Sequence, residues 1–103
     1  MKMYTLLGRD GKHYTSTAPG TLGGHKKNRV YGRLSCRGAR QWLAKGYYVK
    51  HRVFFADEST AIAAGYRPCA GCMPERSVLW EKAVQLTSTR VEALELYRIF
   101  LEN

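Results

Sequence analysis

The chain has 103 residues, 45% hydrophobic and 12% aromatic, with a formal net charge of +9. That composition belongs to one folded domain and excludes a disordered segment. No apolar run approaches the roughly 20 residues of a membrane span and no signal peptide is visible, so no membrane partner and a cytoplasmic location are expected.

The charge is unevenly spread. Residues 1 to 56 hold twelve Lys/Arg against one acid, and residues 57 to 103 hold five against seven. Such a basic half points to a polyanion, nucleic acid before lipid, because no basic amphipathic helix accompanies the charge.

In chain order, Met3 to Leu7 and Lys12 to Ser16 predict two strands turned at Arg9-Asp10-Gly11, since D-G is a strong hairpin signal. Residues 17 to 28 read as a glycine-rich loop ending in a basic cluster, a flexible arm able to approach phosphates. Asn28 to Leu34 predicts a third strand leading to Cys36. Residues 37 to 45 predict a short helix closed by Gly46, and Tyr47 to Phe55 the best strand, β-branched and aromatic.

Asp57 is expected to cap a helix that Gly65 ends, and Pro74 to open another running to about Leu86. A last helix, Thr89 to Leu101, offers a stripe of Val91, Leu94, Tyr97 and Leu101, read as core packing with a dimer seam as the alternative. Glu58, Glu75 and Glu81 read as surface residues. The fold class is α+β: a small domain with a short antiparallel sheet, C-terminal helices and a knuckle at Cys69 and Cys72. The C-x-x-C spacing of that knuckle is that of half a tetrahedral zinc site and makes a zinc-stabilised domain the expectation. Its segments are an N-terminal hairpin and basic loop (1–28), a zinc-binding core (29–76) and C-terminal helices packed on that core (77–103), all one structural domain.

Cys69 and Cys72 put two sulfurs on one turn, as half of a tetrahedral Zn²⁺ shell requires. A redox pair is the competing reading of C-x-x-C. The pair follows a helix-Gly-Tyr-Arg-Pro turn, and a third cysteine, Cys36, stands upstream; both features favour the metal. The fourth position falls to His51 as first choice, His25 second and His13 third, with an external ligand also open. No Ser-His-Asp grouping, phosphate-binding glycine loop or acidic metal cluster is apparent, so no catalytic residue is assigned.

The run F-F-A-D-E-S-T-A-I-A-A-G-Y-R-P-C-A-G-C-M-P-E, Phe54 to Glu75, resembles the Ada-type metal-binding domain of bacterial methylphosphotriester repair proteins. The similarity extends over roughly residues 29 to 76. In that family four cysteines, C-x-x-x-C upstream and C-x-x-C downstream, hold zinc, and the first of them takes a methyl group from a DNA phosphate. Cys69 and Cys72 match the downstream pair. Upstream, the family's aromatic-C-R-P-S-C aligns with Y-G-R-L-S-C, which sets Gly32 at the acceptor and Cys36 at the second cysteine. In the other register Cys36 is the acceptor and Arg40 replaces the second cysteine.

The resemblance then implies a non-catalytic zinc module that binds nucleic acid, DNA foremost, as an accessory to DNA metabolism. Phosphate contacts are expected from Lys26, Lys27, Arg29, Arg33, Arg37, Arg40, Lys50, Arg52 and Arg67. Two alternatives stand beside it. One is an alkyl-acceptor repair protein using Cys36. The other is a protein-interaction module, with purely structural zinc and a partner or second copy on the C-terminal helix.

Overall fold

The computed structural model describes residues 2–34 and 52–102. The expected hairpin forms from β1 (Tyr4–Leu7) and β2 (His13–Ser16), antiparallel with Leu7 opposite His13. Gly11, at φ 78°, supplies the left-handed turn residue, and Asp10 Oδ1 accepts the Lys12 N–H at 3.0 Å.

A second, four-stranded sheet has the order β5-β3-β4-β6. Its strands are β3 (Leu22–His25), β4 (Val30–Arg33), β5 (Arg52–Phe55) and the short β6 (Arg67–Pro68). β3 pairs antiparallel with both β4 and β5, whereas β6 runs parallel to β4. β1 lies against β5 without pairing with it.

The predicted glycine-rich loop is therefore corrected: its middle is an inner strand. Gly24 is required there, because a Cβ would sit 2.8 Å from the Phe55 ring and 3.0 Å from the Val30 carbonyl. Close backbone approach, which side-chain propensity does not register, sets this strand. The predicted helix over 37–45 and the start of the 47–55 strand lie outside the described residues.

Helix α1 (Glu58–Ala63) starts as its sequence demands, with Asp57 Oδ1 accepting the Thr60 N–H at 2.8 Å. The Thr60 hydroxyl, which donates to the same oxygen at 2.6 Å, and then the N–H bond hold the Asp57 carboxyl below its ordinary value. Gly65, at φ 94°, ends the helix: its N–H donates to Ile62 O and the Tyr66 N–H to Ala61 O, a Schellman closure. The chain then passes straight into β6.

Helix α2 (Pro74–Gln85) opens on proline, and α3 (Arg90–Glu102) starts where Thr89 Oγ1 accepts the Glu92 N–H at 3.2 Å. The predicted stripe on α3 is partly corrected. Val91 is 77% exposed, and the buried positions are Ala93 and Tyr97, flanked by Leu94, Leu96, Phe100 and Leu101. Arg98 ties to Glu95 and Glu102 on the solvent side.

Between sheet and helices lie Tyr31, Val53, Phe55, Ile62, Tyr66, Trp80 and Tyr97. Phe55 meets Tyr66 edge to face at 4.8 Å, and Trp80 meets Tyr97 at 5.9 Å. Each such pair contributes about 0.5–1.5 kcal/mol beyond the area it buries. Glu58, read as a surface residue, instead accepts the hydroxyl of fully buried Tyr31 at 2.7 Å and Arg76 Nε at 3.1 Å. Tyr31 and Tyr97 share a hydrogen bond at 2.6 Å. Since Tyr31 donates to Glu58, Tyr97 is the donor to Tyr31. Burial, reinforced by these bonds, drives the Tyr31 phenol well above its ordinary value, and burial pushes Tyr97 up to about 12. Among the described residues no helix is long and apolar enough to cross a membrane.

Candidate metal centre

The knuckle is built where β6 leaves the sheet. The Cys69 N–H donates to Tyr31 O at 2.8 Å, and the Met73 N–H closes the turn on Cys69 O at 3.0 Å. The first bond extends the β4–β6 pairing and sets Cys69 beside Gly32.

Gly32 is the pivot of the site. A Cβ at that position would stand 2.7 Å from Cys72 Sγ, 3.1 Å from Cys69 Cβ and 4.0 Å from Cys69 Sγ. The direction a side chain would take from residue 32 thus leads straight to the two sulfurs. Its absence lets the next peptide close in, and the Arg33 N–H donates to Cys72 Sγ at 3.3 Å. An N–H aimed at sulfur is the kind of outer contact that orients a metal-ligating side chain. Two half-buried thiols on one turn, one of them bonded in this way, fit a zinc site.

Four of the six candidate ligand positions are described. Cys69 and Cys72 come together. His25 ends β3, and its Nδ1 accepts the Asn28 N–H at 3.2 Å, so that nitrogen serves the turn. His13 is exposed on β2, in the other sheet. Cys36 and His51 lie outside the described residues, and among the described residues no group of three His, Cys, Asp or Glu side chains could hold a metal.

Strand alternation puts the basic residues in relation to the knuckle. Gly32 lies opposite Gly23, which lies opposite Phe54; Val30 lies opposite His25, opposite Arg52, and beside Arg67. These positions share the sheet face away from Tyr31, Val53 and Phe55. The face is a glycine floor bounded by the sulfurs on one edge and by Arg52 on the other. The Arg52 guanidinium stands 5.0 Å from the Phe54 ring and 3.2 Å from a Cβ at Gly23. Arg33 is exposed at the end of β4, while Lys26, Lys27 and Arg29 are exposed on the β3–β4 turn. Arg37, Arg40 and Lys50 lie outside the described residues.

Arg29 is held at φ 53°, a left-handed conformation that costs a side-chain-bearing residue about 1 kcal/mol. Three bonds impose it. Its N–H donates to His25 O at 2.8 Å, and its carbonyl accepts Arg67 N–H at 2.9 Å and Arg90 Nη2 at 3.1 Å. Arg90 also donates to Gly65 O at 3.1 Å and lies over the Trp80 ring. Burial first, then the charges of Arg67 and Arg29, pull the Arg90 guanidinium below its ordinary value. Sequence reading missed Arg90 and Gly23. Arg90 stood in view as the first cation of the last helix, but its partners are remote in sequence.

No curated protein and no solved structure matches the chain. Residues 20–75 match the family described as the metal binding domain of Ada, a segment that holds β3 to β6, α1 and the whole knuckle. With more than half of its length inside that match and two thiols converging on residue 32, the chain belongs to the family of the Ada metal-binding domain, a zinc-binding family of DNA repair.

Proposed function

We propose that this protein is a non-catalytic zinc module that binds the backbone of nucleic acid, DNA foremost. Cys36, His51, Cys69 and Cys72 are the ligands of this reading. Bound zinc ties segments distant in sequence into one site and keeps the sulfurs deprotonated. The segments 1–28, 29–76 and 77–103 act as one structural domain, a view supported by the Tyr31–Tyr97 bond.

The observation that carries the reading is the direction of a side chain at residue 32. A Cβ there would meet both sulfur-bearing side chains, which supports the register in which Gly32 occupies the acceptor position of the repair proteins. Glycine offers no nucleophile, so the methyl transfer has no thiol at that position. What the face retains is charge around the glycine floor. Lys26, Lys27, Arg29, Arg33, Arg52 and Arg67, together with Arg37, Arg40 and Lys50, are the phosphate contacts of this reading. They position a duplex or strand without reading its sequence.

Intact-mass measurement after incubation with methylphosphotriester DNA tests the non-catalytic claim. An unchanged mass is expected; one added methyl on Cys36 would establish the acceptor reading instead. Binding of the zinc-loaded chain to a labelled oligonucleotide tests the rest. Six phosphate contacts give a slope of about −5 for log affinity against log salt. No binding even at low salt would favour a protein-interaction module.

A further inference from the structure

The β1–β2 hairpin, outside the segment matched to the family, brings a cation to the β3–β4 turn. Arg9 joins Lys26 and Arg29 around a cavity of about 380 Å³ whose apolar wall is Leu7, Ala64 and Tyr66. That volume lies in the range of small-ligand sites, about 300–1,000 Å³. Asp10 is the one acid among the described lining residues, and its Oδ1 is engaged by the Lys12 N–H. On the rim, Gly11 has nothing within 4 Å of where a Cβ would stand, so that side is open.

Three features identify the ligand class. The cations outnumber the acid three to one, which calls for an anion. Three hydrogen bonds fix the backbone from which the Arg29 side chain springs, and its charge already weighs on Tyr66 and Arg90. The apolar wall beside the cations suits a sugar joined to a phosphate better than a bare inorganic ion. The cavity also lies close to the metal face along the chain. Gly32 is three residues on from Arg29, which immediately precedes β4, so the two lie no more than about 10 Å apart, within reach of a single nucleic-acid chain.

We propose that this cavity seats one phosphodiester of the bound nucleic acid, the phosphate on Arg9, Lys26 and Arg29 and the sugar against Leu7, Ala64 and Tyr66. The proposal rests on the nucleic-acid-binding reading above and extends it to the hairpin, which thereby becomes part of the binding surface.

The test is salt-dependent binding of a labelled oligonucleotide to the full zinc-loaded chain and three variants. Arg9 is exposed in a turn, so Arg9→Ala leaves the fold intact, which circular dichroism checks. Arg9→Ala is expected to weaken binding several-fold and to shallow the salt slope by about 1, and Arg9→Ala/Lys26→Ala by about 2. Lys82→Ala, on α2 and away from the cavity, is expected to leave the slope unchanged. Wild-type slopes in both cavity variants would overturn the cavity proposal alone, as would an equal loss in Lys82→Ala. Failure of the unaltered protein to bind any oligonucleotide is a separate result and overturns the parent reading itself.

Discussion

Tyr31 and Tyr97, 66 positions apart, meet hydroxyl to hydroxyl at 2.6 Å, and Tyr31 passes the chain of bonds on to Glu58. The strand that carries Gly32 is thereby fastened to the last helix and to α1 in one buried relay. Removing its middle member should cost more than removing its end. Tyr31→Phe leaves the buried Tyr97 hydroxyl without its acceptor and Glu58 with Arg76 as its remaining donor. Tyr97→Phe leaves Tyr31 still bonded to Glu58. The expected losses are about 2–3 kcal/mol and about 1 kcal/mol, read from urea unfolding at fixed zinc.

Gly32→Ala should weaken metal binding without touching a ligand. The added methyl would sit 2.7 Å from Cys72 Sγ, and the sulfur or the strand must shift. The Arg33 N–H bond to the same sulfur would be strained with it. Disturbance of an outer shell commonly lowers metal affinity about 10–100-fold, and competition with a chromophoric chelator would measure it. Unchanged affinity would mean that the knuckle tolerates a side chain where none now fits.

Asp57→Ala should remove the cap of α1 and cost about 1 kcal/mol at neutral pH. The folded carboxyl is depressed by the Thr60 bonds, so the charged cap stabilises the fold fully above its ordinary value of 3.8. That contribution is lost as pH falls through the lower folded value. The stability gap between wild type and Asp57→Ala is therefore expected at pH 7 and should shrink below about pH 3.8.

Arg52→Ala/Arg67→Ala should reduce nucleic-acid affinity similarly across sequences and shallow the salt slope by about 2, one unit for each phosphate contact. The two arginines flank opposite sides of the glycine floor. A loss confined to one base sequence would show that they read bases.

The sequence made visible what local chemistry decides. The D-G turn, the Asp57 cap, the Gly65 stop and the Pro74 start all stand where their residues place them, because each depends on neighbours within a few positions. The turn that pairs Cys69 with Cys72 was equally legible. β3 was not, because a strand signal is written in side chains and Gly23 and Gly24 have none; at Gly24 the Phe55 ring and the Val30 carbonyl require that absence. Glu58 and Arg90 escaped for a related reason, their partners being Tyr31, Arg29 and Gly65 from other segments. On α3, periodicity found the helix but shifted its buried face, since packing against Trp80 selects Tyr97 with Ala93 and leaves Val91 in solvent.

The family match stops at residue 75, yet Trp80, Ala83, Ala93 and Tyr97 beyond it are all buried. The heritable unit and the folding unit are therefore not coextensive. A fragment trimmed to the matched region would bare the ring of Tyr31 and strip Leu7 from the far side of the core. Anyone cutting an expression clone by the match alone would obtain the metal knuckle on half a foundation.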